Sequence, residues 1–318
     1  MKRVLCVGHA VQDFVFRTPR LPHGAEKHRA TGFASVGGGP AATAAVAIAR
    51  LGGAARLVAR VGADPIAEAI RGELEAYGVD CRHLRRFAGH QSSVSAVFVD
   101  DAGERLIVNH ADPAMPADPA WLADAVTLDD IDAVLADTRW PAGGEHLLSR
   151  ARQAGLPAVL DADVPVPREG DLLAAATHVA FSAAGLRDFS GCADTHDALG
   201  FALQDYARRS RQWCCVTLGG AGVLVADGRA SRTASPDAPS LQRAAAFAVT
   251  PVDTLGAGDV WHGAFALALA EGAIEPAAVR AASAAAAIKV TRHGGRAGAP
   301  ARAERDALLE SNSSTENG

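Results

Sequence analysis

Lysine is scarce in this chain of 318 residues: it stands only at positions 2, 27 and 289, and none of the three follows a Gly-x-x-x-x-Gly spacing. A Walker A phosphate loop is therefore excluded. The five cysteines (Cys6, Cys81, Cys192, Cys214, Cys215) form an odd set without a Cys-x-x-Cys, which argues against a disulfide framework or a zinc knuckle. Cys214-Cys215 alternates faces in an apolar run and reads as packing. No apolar run reaches the ~18 uninterrupted residues of a membrane span, because Arg50, Glu271 and Lys289 cut the Ala-rich stretches. Met1 to Gly8 begins basic, but its apolar run is too short for a signal peptide before polar His9 and Asp13, so it reads as a first strand and the cytoplasm is the expected compartment. A large charge excess is missing too: 31 basic against 36 acidic side chains leave a formal net charge of −5. Neither nucleic acid nor a membrane surface is an expected partner.

What is present is the composition of an ordinary globule, 49% hydrophobic and 21% charged, long enough to bury a sizeable core. Short β-branched runs alternate with Ala/Leu-rich segments of helical length, the pattern of βαβ units around a mainly parallel sheet. Strands are expected at Val4 to Gly8, Ala55 to Val61, Ala133 to Ala136, Ala158 to Leu160, His178 to Phe181 and Cys214 to Leu218, with a further strand end at Phe247 to Val252. Helices are expected at Ala41 to Leu51, Pro65 to Tyr77, Gly143 to Ala154, His196 to Ser210, Ala257 to Ala270 and Pro276 to Val290. Gly52, Gly155 and Gly272 sit just past helix ends, where a left-handed residue is wanted. Two segments break the alternation: Phe14 to Phe33 is rich in turn formers, and Ser92 to Asn109 reads as a hairpin around Asp100 to Glu104. Together they predict a small antiparallel sheet outside the main body. Arg82, Arg85 and Arg86 read as a solvated face, and the tail from Ser311 to Gly318 carries no apolar side chain and is expected to be disordered.

The chemistry concentrates in Asp253-Thr254-Leu255-Gly256-Ala257-Gly258-Asp259, just before an apolar helix. Its glycines allow a sharp turn and a close approach to a ligand, while the first amides of the helix point outward at a site of partial positive charge. Such a turn serves as a plain helix cap or as an anion cradle. A carboxylate at Asp259 would be kept ionised by the helix dipole and could take a proton from an attacking hydroxyl. Phosphoryl transfer needs little more than this base, a cradle and good positioning.

The seven-residue string resembles the C-terminal signature of the ribokinase (PfkB) family of sugar kinases. Val36-Gly37-Gly38-Gly39-Pro40-Ala41-Ala42-Thr43 resembles its N-terminal signature, and Thr217-Leu218-Gly219-Gly220-Ala221-Gly222 resembles its nucleotide loop. The resemblance implies a ribokinase-like three-layer α/β sandwich with a mainly parallel central sheet and a small β-sheet lid. Residues 1–12, 34–91 and 110–310 would form the core, and 13–33 and 92–109 the lid. It implies that Asp259 is the catalytic base, and that the amides of Gly256, Ala257 and Gly258 form an anion hole. ATP would bind at Thr217, Gly219, Gly220 and Gly222, with Lys289, at the end of Ala286-Ala287-Ile288-Lys289, near the adenine. Asp13, Gly38, Gly39 and Thr43 would bind the sugar. A monovalent cation, K+, would lie beside Asp253, and a homodimer would form through the lid.

Two departures bear on the site. The family's usual Asn is Thr43 here, and its Asn-x-x-Glu motif near magnesium is Ser182-Ala183-Ala184-Gly185. Asp161 and Asp163 are the candidates for contact with Mg2+ and the nucleotide, or else belong to a solvated loop. The frame Val36 to Gly52, the stretch Leu135 to Trp140 and Thr291 to Gly298 resemble the branch of the family that phosphorylates 6-deoxy-6-sulfofructose. That resemblance implies that Lys27, Asn109 and Arg139 converge to hold a sulfonate while ATP phosphorylates the 1-hydroxyl. Fructose 6-phosphate, tagatose 6-phosphate and an unphosphorylated sugar remain alternatives within the class, and an inactive sugar or nucleotide sensor outside it.

Overall fold

The computed structural model describes residues 1–229 and 239–313. Residues 230–238, within the expected core, and 314–318, within the expected tail, lie outside the described residues. In chain order the strands are β1 (Arg3–Gly8), β2 (Val11–Arg17), β3 (Gly32–Gly38), β4 (Ala54–Gly62), β5 (Asp80–Phe87), β6 (Ser93–Val99), β7 (Arg105–His110), β8 (Ala133–Asp137), β9 (Ala158–Ala162), β10 (His178–Ser182), β11 (Trp213–Thr217), β12 (Val223–Asp227) and β13 (Leu241–Ala244). The helices are α1 (Pro40–Arg50), α2 (Pro65–Ala76), α3 (Leu122–Ala125), α4 (Pro141–Gln153), α5 (Leu172–Ala175), α6 (Ala183–Ser190), α7 (His196–Ser210), α8 (Ala257–Ala270), α9 (Glu275–Val290) and α10 (Arg302–Ser313).

Nine strands form one sheet in the order β13-β12-β11-β10-β9-β8-β1-β4-β5. Its pairings are parallel from β11 to β5, and β12 and β13 add an antiparallel edge. Both faces are covered. Along β1, Val4 and Cys6 face the cluster built with α1, α2, α8 and α9, while Leu5 and Val7 face the one built with α4 and α7. This alternation across one strand produces the expected three layers.

The helices under the site are packed through small residues. Pro40 opens α1 where a missing N–H costs nothing, and its alanines bring α1 close to α8. A Cβ on Gly263 would stand 2.6 Å from Ala44 O, so the crossing tolerates only glycine at that point. Thr43 is thereby pressed against the start of α8, with its Cγ2 3.3 Å from where a Cβ on Gly256 would be.

A separate sheet, β3-β2-β6-β7, forms the lid; it is mixed rather than antiparallel as expected, because β2 and β6, which join its two halves, pair in parallel. It takes in Val11, Gln12, residues 34–38 and His110 beyond the expected limits. Other expectations fail locally. Phe247 to Val252 is not a strand but an irregular segment, because β12 and β13 already supply the antiparallel edge and leave this stretch to line a cavity. Arg82, Arg85 and Arg86 are exposed as expected, yet they sit on β5, an edge strand of the large sheet. Ser311 to Ser313 close α10, where Ser311 Oγ and Asn312 Nδ2 donate to the Leu308 carbonyl at 3.0 and 2.9 Å, so the tail is helical to that point. No helix among the described residues is long and apolar enough to cross a membrane.

Candidate active site

The turn before α8 separates two cavities. Gly256 takes a left-handed conformation (φ 75°) at the helix start, and no side chain caps that end. On one side, Leu255, Gly256 and Asp259 line a cavity of about 970 Å³ beneath the lid. On the other, Thr254, Ala257 and Gly258 line a cavity of about 400 Å³. Amides at a helix start favour an anion between two such spaces. The Ala257 amide is already engaged, donating to Thr254 O at 3.2 Å, so of the three expected anion-hole donors the structure leaves this one committed to the turn itself.

Asp259 lies in the first turn of α8 at the floor of the larger cavity. Burial pushes its carboxyl up to about 7, with the neighbouring charge of Asp161 next and smaller contributions from Asp137 and Asp163. The expectation that the helix dipole keeps it firmly ionised is therefore corrected: desolvation and like charges outweigh the dipole. Its position suits proton acceptance better for that, because an acceptor works best with a pKa near the working pH.

One rung of the lid builds the opposite wall. Asp13 on β2 pairs with Ser95 on β6, which pairs with Asn109 on β7, so the pleat places all three side chains on one face. Ser95 hydrogen-bonds the Asp13 carboxylate, Asn109 Nδ2 donates to Ser95 Oγ at 3.1 Å, and all three line the cavity. Burial raises the pKa of Asp13. The glycines of the N-terminal signature make room for this arrangement. A Cβ on Gly38 would stand 2.2 Å from Asp13 Oδ2, and Gly39 (φ 92°) would set one 2.5 Å from His9 O. Gly39 reaches the cavity, whereas Gly38 acts through Asp13.

Arg139 lines the same cavity together with His9, Arg60 and Trp140. His9 is held below its usual value first by burial, and the charges of Arg139 and Arg60 add to that. Arg60 was not legible in the sequence. It comes from β4, lies 4.6 Å over the Trp140 ring, donates to Pro116 O at 2.9 Å, and is pushed down to about 10 by burial. Asp137 orders this corner: its carboxylate accepts from the amides of His9, Ala41 and Arg139 at 2.8, 3.1 and 2.8 Å. Lys27 does not join the cluster. It is exposed in the loop between β2 and β3 and lines none of the cavities described.

The smaller cavity gathers Thr217, Gly219, Gly220 and Gly222 with apolar walls from Val223, Phe247, Val249, Trp261 and Ala287. Gly222 (φ 91°) closes the loop back against Ala244 O, where a Cβ would stand at 2.1 Å. A flat apolar slot next to glycine amides suits a nucleotide base and its sugar phosphates. Trp261 is anchored by Ser283 (Nε1 to Oγ 3.2 Å) while lining that slot. Lys289 is not in it. The residue is fully buried, its Nζ donating to Asp253 O at 2.8 Å and Arg292 O at 3.3 Å.

The two strand-end carboxylates part ways. Asp163 lines the cavity, where Ser182 Oγ donates to its Oδ1 at 2.6 Å and Arg139 Nη2 lies 3.5 Å from Oδ2. The residue that replaces the family's Asn thus orients Asp163 while capping α6. Asp161 is buried instead, 3.3 Å from His262 Nδ1, and burial with the charges of Asp163 and Asp137 holds its carboxyl well above the usual range. Asp161 does not line the cavity. No cluster of three or more metal-ligating side chains occurs among the described residues. Asp163 alone fits Mg2+, which typically uses one or two carboxylates and takes its remaining ligands from phosphates and water.

Comparison with known proteins gives this geometry a context. The model of the family described as "pfkB family carbohydrate kinase" matches residues 1–302. The chain is 28% identical to a ribokinase of Bacillus subtilis over 312 residues, covering 97% of this chain and 100% of that one. It is 30% identical over 171 residues to an ATP-dependent ribose-1-phosphate kinase of Halopiger xanaduensis, 54% of this chain and 56% of that one. A solved candidate ribokinase from Agrobacterium tumefaciens superposes with a TM-score of 0.84 at 37% identity, covering 97% of this chain and 98% of that one.

Proposed function

The chain belongs to the pfkB family of carbohydrate kinases and is an ATP-dependent sugar kinase, and from that premise we propose that it phosphorylates the 1-hydroxyl of 6-deoxy-6-sulfofructose. The observation that carries the reading is the turn at Gly256 to Gly258, which has Asp259 on its acceptor side and the apolar slot on its other side. The sugar enters the larger cavity, where Asp13 and Asn109 accept and donate hydrogen bonds to its hydroxyls. ATP lies in the smaller one, against Gly219, Gly220 and Gly222. Asp259 removes the proton of the attacking hydroxyl, and the turn amides offset charge on the transferring group. Mg2+, when bound beside Asp163, supplies further neutralisation of phosphate charge.

Support for an anionic acceptor comes from Arg139 and Arg60, which flank His9 in the cavity. Arg60, which lies over Trp140 in the cavity lining, adds a cation to the pocket where Lys27 was expected. A singly charged sulfonate needs fewer cations than a phosphate, and a cavity lined by two arginines and Asn109 fits that balance. A neutral sugar is the second reading, favoured by ribokinase names among the relatives. Dimerisation through the lid rests on its outer aromatic face, and a reducing compartment such as the cytoplasm fits five free cysteines.

The deciding measurement is kcat/KM for 6-deoxy-6-sulfofructose, fructose 6-phosphate, tagatose 6-phosphate and ribose, with the product identified by phosphorus NMR. The sulfosugar is expected to lead by about tenfold or more, the discrimination that one charged contact supplies. A preference for a sugar phosphate would keep the anion pocket and remove the sulfonate. Preference for ribose would remove both.

A further inference from the structure

The surroundings of Asp253 do not fit a monovalent metal ion, because a side chain of the protein already occupies the position. Lys289 ends α9 with its side chain 0% exposed, and its Nζ lies 2.8 Å from Asp253 O, 3.3 Å from Arg292 O and 3.5 Å from Asp253 Oδ2. An alkylammonium carries three N–H donors, and here three oxygens face it. A second cation reaches the same carboxylate from the lid, where Arg105 Nη2 donates to Asp253 Oδ1 at 2.8 Å. A metal ion added beside these two charges would meet repulsion in a desolvated place and find its oxygens spoken for.

What this ammonium holds is the entry to the anion-hole turn. Asp253 Oδ1 accepts from Leu255 N at 2.9 Å, one residue before Gly256, while Oδ2 accepts from Gly294 N at 3.1 Å. One carboxylate thus joins the turn, the loop after α9 and the lid, and it keeps its place only while its charge is balanced. Lysine at 289 is one of three in the chain, and burying an ammonium is costly unless hydrogen bonds and a counter-charge offset it.

We propose that Lys289 is a resident cation, a positioning residue that substitutes for a monovalent metal ion and fixes the Gly256 to Gly258 turn, so that this kinase works without K+. The inference rests on the kinase assignment alone and not on the identity of the acceptor. Calorimetric binding of ADP to the full-length enzyme tests it without any sugar. Affinity for ADP in choline chloride and in KCl at equal ionic strength is expected to agree within about twofold, leaving only non-specific salt effects. Lys289→Met is expected to weaken ADP binding by about tenfold or more in choline, as expected for a buried carboxylate that has lost a partner. Lys289→Ala, which also opens space, is expected to regain affinity with added K+ or ethylammonium. Several-fold activation of the wild type by K+ overturns the proposal, and so does a Lys289→Met enzyme that binds ADP like the wild type in choline. Should both variants fail to fold by circular dichroism, the wild-type cation panel decides: indifference supports the resident cation and activation removes it.

Discussion

Asp259 is a carboxylate whose usefulness depends on where it titrates. Burial and the charge of Asp161 bring it to about 7, so kcat/KM should lose about tenfold per pH unit below that value as the base takes up its proton. An acid limb near the ordinary carboxylate value would show that some other group accepts the proton. Asp259→Asn should lower kcat by about 100-fold or more while leaving ADP affinity in place. The same shift has a stability consequence of definite sign. Folding raises this pKa, so the native state holds the proton more tightly than the unfolded chain. Ionisation of Asp259 therefore works against folding above pH 7, and the penalty fades as the pH falls towards 4. Asp259→Asn should raise Tm by a few degrees, roughly 2–5 °C, at pH 8 and by less at pH 5; an equal gain at both would refute the buried-charge account. Arg60→Ala should raise KM for an anionic sugar by about tenfold or more and leave KM for ATP within about twofold. Asp259 was legible because its motif is continuous in sequence, and Asp13 and Asn109 because the lid could be recognised. Arg60, Ser95 and Asp137 were not, since β4, β6 and β8 bring them to the site only through sheet order and pleat. Lys289 was singled out for the adenine, but its Nζ meets Asp253 and Arg292 instead: a register of 3.6 residues per turn does not say which neighbour a side chain meets.

At the scale of elements, the left-handed turn into α8 is the most exacting piece of backbone in the site. Gly256→Ala would place a Cβ at φ 75°, which costs about 1 kcal/mol, and would press it to 3.3 Å from Thr43 Cγ2. Tm should fall by roughly 2–4 °C, while kcat should fall by about tenfold or more as the amides move off the transferring group. Unchanged kcat in a folded variant would mean that this turn is not the phosphoryl cradle. Elements with one strong local signal were readable in the sequence. α7 and α8 carry helix-length apolar patterns and appear at the expected residues, and the β6–β7 hairpin follows from Asp100 to Glu104. Elements whose stability comes from a neighbour were not. β5 is a charged edge strand held by pairing to β4, and β12 and β13 are short strands, the first paired to β11 and the second to β12. α6 begins where a nucleotide-site motif was being weighed, and its cap by Ser182 shows that a cap and a ligand-orienting hydroxyl are one residue.

For the whole molecule, the lid is a sheet with two unlike faces. Its inner face carries Asp13, Ser95 and Asn109 into the cavity. On its outer face Phe14, Phe16, Phe33 and Phe98 stack, with centroids of Phe16 and Phe98 5.5 Å apart, and Phe33 and Val108 are 61% and 60% exposed. The alternation of period two that aims polar residues inward therefore gathers aromatics outward on the same strands. A contiguous apolar face of this kind on a sheet with open edges β3 and β7 invites a second copy of the chain, since pairing there removes both exposed rings and unpaired strand edges. If so, the wild type should sediment as a dimer at micromolar concentration. Phe33→Asp is the informative change, because a mostly exposed ring can be replaced without opening the core, whereas a charge would be desolvated in any lid-to-lid contact. The variant should keep the wild-type Tm within about 2 °C as a monomer and should sediment as a single chain. Its KM for the sugar should rise, because Asp13 and Asn109 then sit on a sheet that nothing steadies from outside. A Phe33→Asp protein that remains dimeric would place the interface elsewhere and leave the outer aromatics as packing within the lid alone.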